Sequence, residues 1–292
     1  MTKRRNYLLL GIMFGVLFLF LTLVNTNLKE VFFILTTINL IPVFLGLIFL
    51  GTGLILKTWR WRILLDSSVL PSRIFAALTI GYLVNNILPA RAGELARIYL
   101  IGRKEGVGLS KTLGTIIIEK ILDTFVLILM LAGLLLSSPT LPAMIKPFFV
   151  GFVFPEKWQI RWKLFLSSFR LLKDKKKLIF LFLLTVIIWL AEGLWNYSLL
   201  MSLDISVPFL AAFFLVAVVN LGLFLPSPPG YIGVFHFLAT FALLPFGVDK
   251  SQALSYALLQ HTLEYFILSA LGCWSAFKLS FNPLGEKKWK NL

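Results

Sequence analysis

Apolar runs of bilayer length alternate along this chain with short segments rich in Lys, Arg, Pro and Gly. A helix needs about 20 mainly apolar residues to cross a bilayer, and such runs predict helices over roughly 7–24, 35–56, 113–136, 178–200 and 252–277. Two further apolar stretches are interrupted. The first, 74–88, meets Pro89-Ala90-Arg91-Ala92-Gly93 and resumes over 93–103; the second, 208–225, meets Pro226-Ser227-Pro228-Pro229-Gly230 and resumes over 230–245. Proline ends a helix by removing an N–H donor, and non-helical backbone at membrane depth must be buried in protein or line a polar cavity. Each interrupted stretch therefore reads as a re-entrant helical hairpin. A weaker crossing, with only about 24 Å of helix, is expected between Pro139 and Pro155.

The chain also contains a repeat. Gly106-Val107-x-x-Ser110-x-x-Leu113 returns as Gly247-Val248-x-x-Ser251-x-x-Leu254, and the two Pro/Gly breaks answer each other at nearly the same offset. Paired interrupted segments in two halves are a pointer to a transport-type site. The expected fold is an all-α integral membrane protein with an inverted-topology repeat, about six spanning helices and two re-entrant hairpins. It forms one polytopic domain over 1–292, with repeat 1 about 1–137, repeat 2 about 138–280 and a basic tail over 281–292. Within the second repeat, Trp158, Trp162, Phe165, Phe169 and Leu172 recur at helical spacing among basic residues, the pattern of an interfacial amphipathic segment over 157–177.

Composition agrees with the pattern. The chain is 59% hydrophobic, against about 45–50% for soluble domains. Its mean hydropathy is +0.90. Only 14% of residues are charged, yet the net charge is +15, which reads as cytoplasmic loops facing anionic lipid rather than as a nucleic-acid surface. Basic segments before the first helix and after the last place both termini in the cytoplasm of a multi-pass cell-membrane protein. Lys3-Arg4-Arg5 ahead of an apolar run resembles a signal sequence, but Asn25-Thr26-Asn27 is no small-residue cleavage site, so a retained helix is expected. Cys273 stands alone, and the only histidines, His236 and His261, are far apart in sequence. Neither a disulfide framework nor a metal centre is expected, and no cofactor.

Candidate chemistry lies where charge interrupts apolar helix. At the first break, Gly93 would start a half-helix whose N–H groups favour an anion, and Arg91 could grip phosphate in bidentate fashion. Arg97 stands one turn after Glu94. The alternative is that Arg91 and Arg97 only neutralise Glu94, Glu119 or Asp123. Glu119 and Asp123 share one helix face at i,i+4 and require cations, a proton or a wet cavity. In the second half Gln260, His261 and Glu264 occupy the matching turn, and a histidine beside a carboxylate can titrate near neutral pH. Glu192 lies inside an apolar run, where a carboxyl is a functional candidate by default. The uncharged second break, with Pro226, Pro228, Pro229, Gly230 and Gly233, offers backbone N–H groups alone. The sequence thus nominates Arg91, Gly93, Arg97, Gly230 and Gly233 for a headgroup. Glu94, Glu119, Asp123, Glu192, His261 and Glu264 are nominated for counter-charge or proton coupling, and Pro89, Pro226, Pro228 and Pro229 for the breaks.

Taken in order, Pro89-Ala90-Arg91-Ala92-Gly93-Glu94-x-x-Arg97, Glu119-x-x-x-Asp123 and Pro226-x-Pro228-Pro229-Gly230-x-x-Gly233 resemble the lysylphosphatidylglycerol synthase transmembrane region family, the flippase-like UPF0104 group. The Trp59-Arg60-Trp61-Arg62 segment also fits, so the resemblance covers nearly the whole chain. It implies a stand-alone lipid translocator, with an anionic phospholipid, an aminoacylated phospholipid or a polyprenyl phosphate as partner. Two departures from the family pattern are His236, where members usually carry an acid, and Gln260, where they often carry arginine.

Three readings follow. One is a lipid translocator coupled to protons. A second is a membrane partner subunit of a separate lipid synthase or glycosyltransferase. A third, a membrane-embedded headgroup enzyme, lacks a nucleophile–base constellation.

Overall fold

The computed structural model describes residues 2–89, 91–137, 174–224 and 227–281, and these are helical or connecting throughout. The helices are α1 (Thr2–Leu23), α2 (Leu28–Thr36), α3 (Leu40–Leu65), α4 (Pro71–Ile87), α5 (Ala92–Arg97) and α6 (Leu109–Ser137), then α7 (Lys175–Ser202), α8 (Phe209–Gly222), α9 (Val234–Leu243) and α10 (Lys250–Phe281). A π-helical turn, Ile98–Lys104, follows α5, and 3-10 turns, Pro229–Tyr231 and Leu244–Phe246, flank α9.

Local chemistry sets the helix starts. The Asn39 side chain accepts from the Ile41 N–H at 3.0 Å, and Pro71 stands at the first turn of α4, where no N–H is needed. Asp174 accepts from the N–H groups of Lys176 and Lys177, and Asp249 caps α10 through the Ser251 N–H at 2.7 Å. These short polar side chains satisfy N–H donors that a helix leaves unpaired.

The expected count of spans is not what the structure holds. Among the described residues three helical units are long and apolar enough to cross a membrane: Leu40–Leu65, Lys175–Ser202 and Pro229–Phe246. A fourth is reached if Leu10–Leu23 and Leu28–Thr36, bent by 86° at the intervening break, form one span. That bent pair is the one re-entrant-like feature among the described residues, which corrects the expected six spans, two re-entrant hairpins and the inverted-topology scheme built on them. The physical reason lies in the residues that attracted attention. Glu119, Lys120 and Asp123 put three charges close together in α6, and Gln260, His261 and Glu264 make α10 less apolar than α3 or α7. The second arm of the expected hairpin at 230–245 falls instead in the apolar unit Pro229–Phe246, which is long enough to count as a span itself. The repeated loop does keep one local shape, with Gly106 and Gly247 at φ +73° and +77°. The crossing expected between Pro139 and Pro155, most of the segment 157–177, and 282–292 lie outside the described residues.

The second predicted helix, 35–56, also differs: α3 runs on to Leu65 through Lys57, Arg60 and Arg62. It packs along α7, and α10 packs along α4. The larger apolar core joins α3, α6, α7, α8, α9 and α10 around Trp195, Phe214, Val234 and Tyr256. A second core around Trp61, Leu65, Ile74 and Ile101 sits where α3 ends and α4 and α6 begin. Outward faces remain apolar, as with Ile41, Phe44 and Ile48 on α3 and Ile179, Leu183 and Ile187 on α7. A bilayer would cover such faces. Two backbone approaches depend on glycine. Gly93 lies so near α4 that a Cβ there would be 1.9 Å from the Gly81 carbonyl oxygen, and one on Gly233 would be 2.0 Å from that of Gly15. The second contact seats α1 on the break ahead of α9.

Candidate functional site

The polar residues of the helices converge on one partly open cavity of about 250 Å³. α3 contributes Lys57 and Arg60, α4 Tyr82, Asn85 and Asn86, and α6 Glu119, Lys120, Asp123 and Thr124. α7 contributes Glu192 and Asn196, and α10 Gln260, His261, Glu264 and Tyr265. Arg91 and Glu94 enter from the first break, Gly230 and Tyr231 from the second. Charges removed from water demand partners, and most here have them.

Arg60, only 1% exposed, holds Asp123 through both guanidinium nitrogens and also donates to Thr185 at 3.1 Å. Arg97 and Glu119, each 5% exposed, form a bidentate pair at 2.9 and 2.8 Å, with the guanidinium stacked 3.9 Å above the Trp61 ring. Lys57 pairs with Glu192, and Lys120 lies 3.6 Å from Glu94. Of the sequence alternatives, Arg97 thus neutralises Glu119, while the neighbour Glu94 faces Lys120. Glu119 and Asp123, on adjacent turns, are separated electrically by two different arginines.

Two charges are left over. Among the described residues no carboxylate lies within ion-pair distance of Arg91, and no cation within that distance of Glu264. Arg91 sits in left-handed backbone, φ +53°, ahead of α5. Its guanidinium donates to the Leu223 carbonyl at 2.9 Å and lies 4.7 Å over the Phe224 ring. Glu264 accepts from the Gln260 amide. Gln260, 4% exposed, keeps its own Oε1 buried without a partner.

Two of the nominated backbone donors, Gly93 and Gly233, are engaged elsewhere. The Gly93 N–H donates to Asn85 Oδ1 at 2.7 Å, and the Gly233 N–H to His236 Nδ1 at 3.4 Å. His261 Nε2 lies 2.7 Å from the Gly230 carbonyl, and the His236 and His261 rings meet at 4.8 Å. Pro229 opens a 3-10 turn, and the Pro228 carbonyl accepts from the Tyr231 N–H at 3.0 Å. Pro89 separates α4 from α5, and Pro226 lies outside the described residues. Arg97, Gly93, Gly233 and His236 stand behind the cavity wall. Among the described residues no group of three His, Cys, Asp or Glu could hold a metal ion.

Lys57 and Arg60 were not among the nominated residues. They adjoin exposed Trp59 and half-buried Arg62, which lies 5.4 Å over the Trp59 ring, so the cluster reads as an interfacial anchor. A helical net would have separated them, because Lys57, Arg60 and Trp61 fall within one arc of about 100° that excludes Trp59 and Arg62. Asn196, whose Oδ1 accepts from the Tyr256 hydroxyl, and the pair Asn85 and Asn86 were not nominated for a different reason: an amide carries no charge to stand out.

Apolar helices enclosing a cavity of paired charges define a multi-pass α-helical membrane protein. Residues 8–272 match the family described as Lysylphosphatidylglycerol synthase TM region, and the chain belongs to that family. It is also similar to a UPF0104 membrane protein of Methanocaldococcus jannaschii, 25% identical over 235 residues that cover 70% of this chain and 97% of that protein.

Proposed function

We propose that the cavity binds the phosphate of an anionic membrane lipid at Arg91 and passes that headgroup between leaflets, while the acyl or prenyl chain stays against the apolar helix faces. The observation that carries this reading is the unpaired guanidinium. Among the described residues four cation–carboxylate pairs close on themselves around the cavity, and Arg91 alone of its cations has no acidic partner. Planar N–H donors held at a carbonyl and an aromatic ring suit a phosphate oxygen. The family membership supports a lipid-associated role, and the four closed pairs then serve to hold the helices around the path.

The same reading orients the molecule. Arg62, Arg73, Arg103, Lys104, Lys111 and Lys278 gather at the end where α3 and α10 finish, against Lys29, Glu30, Asp204, Asp249 and Lys250 at the other. By the positive-inside rule the basic end faces the cytoplasm.

Binding of fluorescent phosphatidylglycerol to the detergent-purified protein tests the site. A charge-assisted hydrogen bond contributes about 1.5–3 kcal/mol, so Arg91→Ala should weaken binding at least tenfold, with uncharged diacylglycerol failing to compete. Equal binding by wild type and Arg91→Ala, both folded, would contradict the assignment.

A further inference from the structure

We infer that Glu264 and Gln260 form a proton-binding site that couples proton movement to occupancy of Arg91; the inference rests on the lipid-translocation reading above. Two observations point to it independently. Glu264 lines the cavity with no cation in ion-pair range among the described residues, and Lys57 is joined to Glu192. Gln260 Nε2 donates to one Glu264 oxygen, while Gln260 Oε1 lies buried and unpartnered. A buried amide oxygen without a donor is costly, because water that once satisfied it has been removed. Protonating Glu264 supplies the missing donor: its O–H can point to Gln260 Oε1 while its other oxygen keeps the Nε2–H bond, closing a cyclic acid–amide pair. No other carboxylate of the cavity has such a partner. Glu119 and Asp123 are each held by an arginine, Glu192 by Lys57 and Glu94 by Lys120.

The charge balance gives the coupling its sign. With the four pairs closed, the cavity carries Arg91 positive and Glu264 negative and is neutral overall. A proton taken from water at the mouth neutralises Glu264 and leaves one net positive charge, matched to one phosphate monoanion. Loss of that proton to water on the other side restores the carboxylate and repels the bound anion. One proton thus travels with each anionic headgroup. The charged and titratable groups that face Glu264 are Lys57 on α3, Tyr82 on α4, Glu192 on α7, and Tyr256 and His261 on α10 itself, with His236 on α9 behind His261. Two of them are already committed, Lys57 to Glu192 and His261 to the Gly230 carbonyl.

The test uses the full chain in proteoliposomes with fluorescent phosphatidylglycerol and an imposed pH gradient. In wild type, acid on one side should speed movement of the lipid away from that side at least threefold, and Glu264→Asp should keep the response. Glu264→Gln, neutral at every pH, should abolish the response whatever its rate without a gradient. Infrared difference spectra on acidification give a second reading that needs no transport: a protonated-carboxyl band present in wild type and absent from Glu264→Gln. A gradient response in Glu264→Gln equal to that of wild type, or a band that persists in that variant, would overturn the inference. Wild-type exchange that ignores the gradient would overturn it and leave the translocation reading standing. Exchange by no protein would instead remove that reading, with the infrared band still deciding whether Glu264 takes a proton.

Discussion

Arg97 and Glu119 divide structural charge from functional charge. Their bidentate pair is buried, backed by Trp61, and stands behind the cavity wall on its arginine side. Breaking one partner of a buried pair leaves an uncompensated charge and typically costs about 3–5 kcal/mol, whereas replacing both with apolar side chains is often tolerated. Glu119→Leu should therefore lower thermal stability in detergent sharply, and adding Arg97→Met should recover most of the loss. A double variant no more stable than the single would show that the pair does more than neutralise itself. At this scale much of the cavity was legible beforehand. Arg91, Glu94, Glu119, Asp123, Glu192, His261 and Glu264 stand out because charge or imidazole in an apolar run is costly, and all line one cavity. Which of them pair was not legible. Arg60 meets Asp123 across 63 positions and Lys57 meets Glu192 across 135, separations that no local spacing encodes.

The elements show why a break in the pattern was readable while its geometry was not. Pro89 and Gly93 mark the turn between α4 and α5, but only the folded chain shows Gly93 pressed against Gly81 with its N–H given to Asn85. Gly93→Ala should force α4 and α5 apart, because the obstructing atom is backbone and cannot swing away. Overpacking costs about 1–3 kcal/mol where side chains can adjust, so the fall in melting temperature should exceed that of Gly51→Ala, where a Cβ meets nothing within 4 Å. Equal effects of the two substitutions would contradict the close approach. The same limit explains the miscount of spans. Apolar run length favours α6 and α10 as crossings, yet charges cluster in α6 and polar side chains thin the apolar run of α10, and these residues line the cavity. The reading of 35–56 stopped at Lys57 because a lysine usually marks the membrane edge, whereas here Glu192 neutralises it and the helix continues.

Across the whole molecule, the basic end and the sparsely charged end set an orientation that labelling can check. In a Cys273→Ser background, single cysteines at Ser110 and Ser206, both exposed and at opposite ends, should differ in reach to a membrane-impermeant maleimide applied to intact cells. Ser206→Cys should label and Ser110→Cys should label only after lysis; the reverse would invert the assigned topology.

Leaflet exchange of fluorescent phosphatidylglycerol and a fluorescent polyprenyl phosphate in proteoliposomes, wild type beside Arg91→Ala, tests most directly whether the cavity moves an anionic headgroup. The account predicts selective exchange of at least one of these lipids by wild type, reduced at least tenfold by Arg91→Ala with the fold intact. Exchange at the same rate in both proteins, or none by a folded wild type with or without a pH gradient, would contradict it and direct attention to a role as partner of a separate lipid-modifying enzyme.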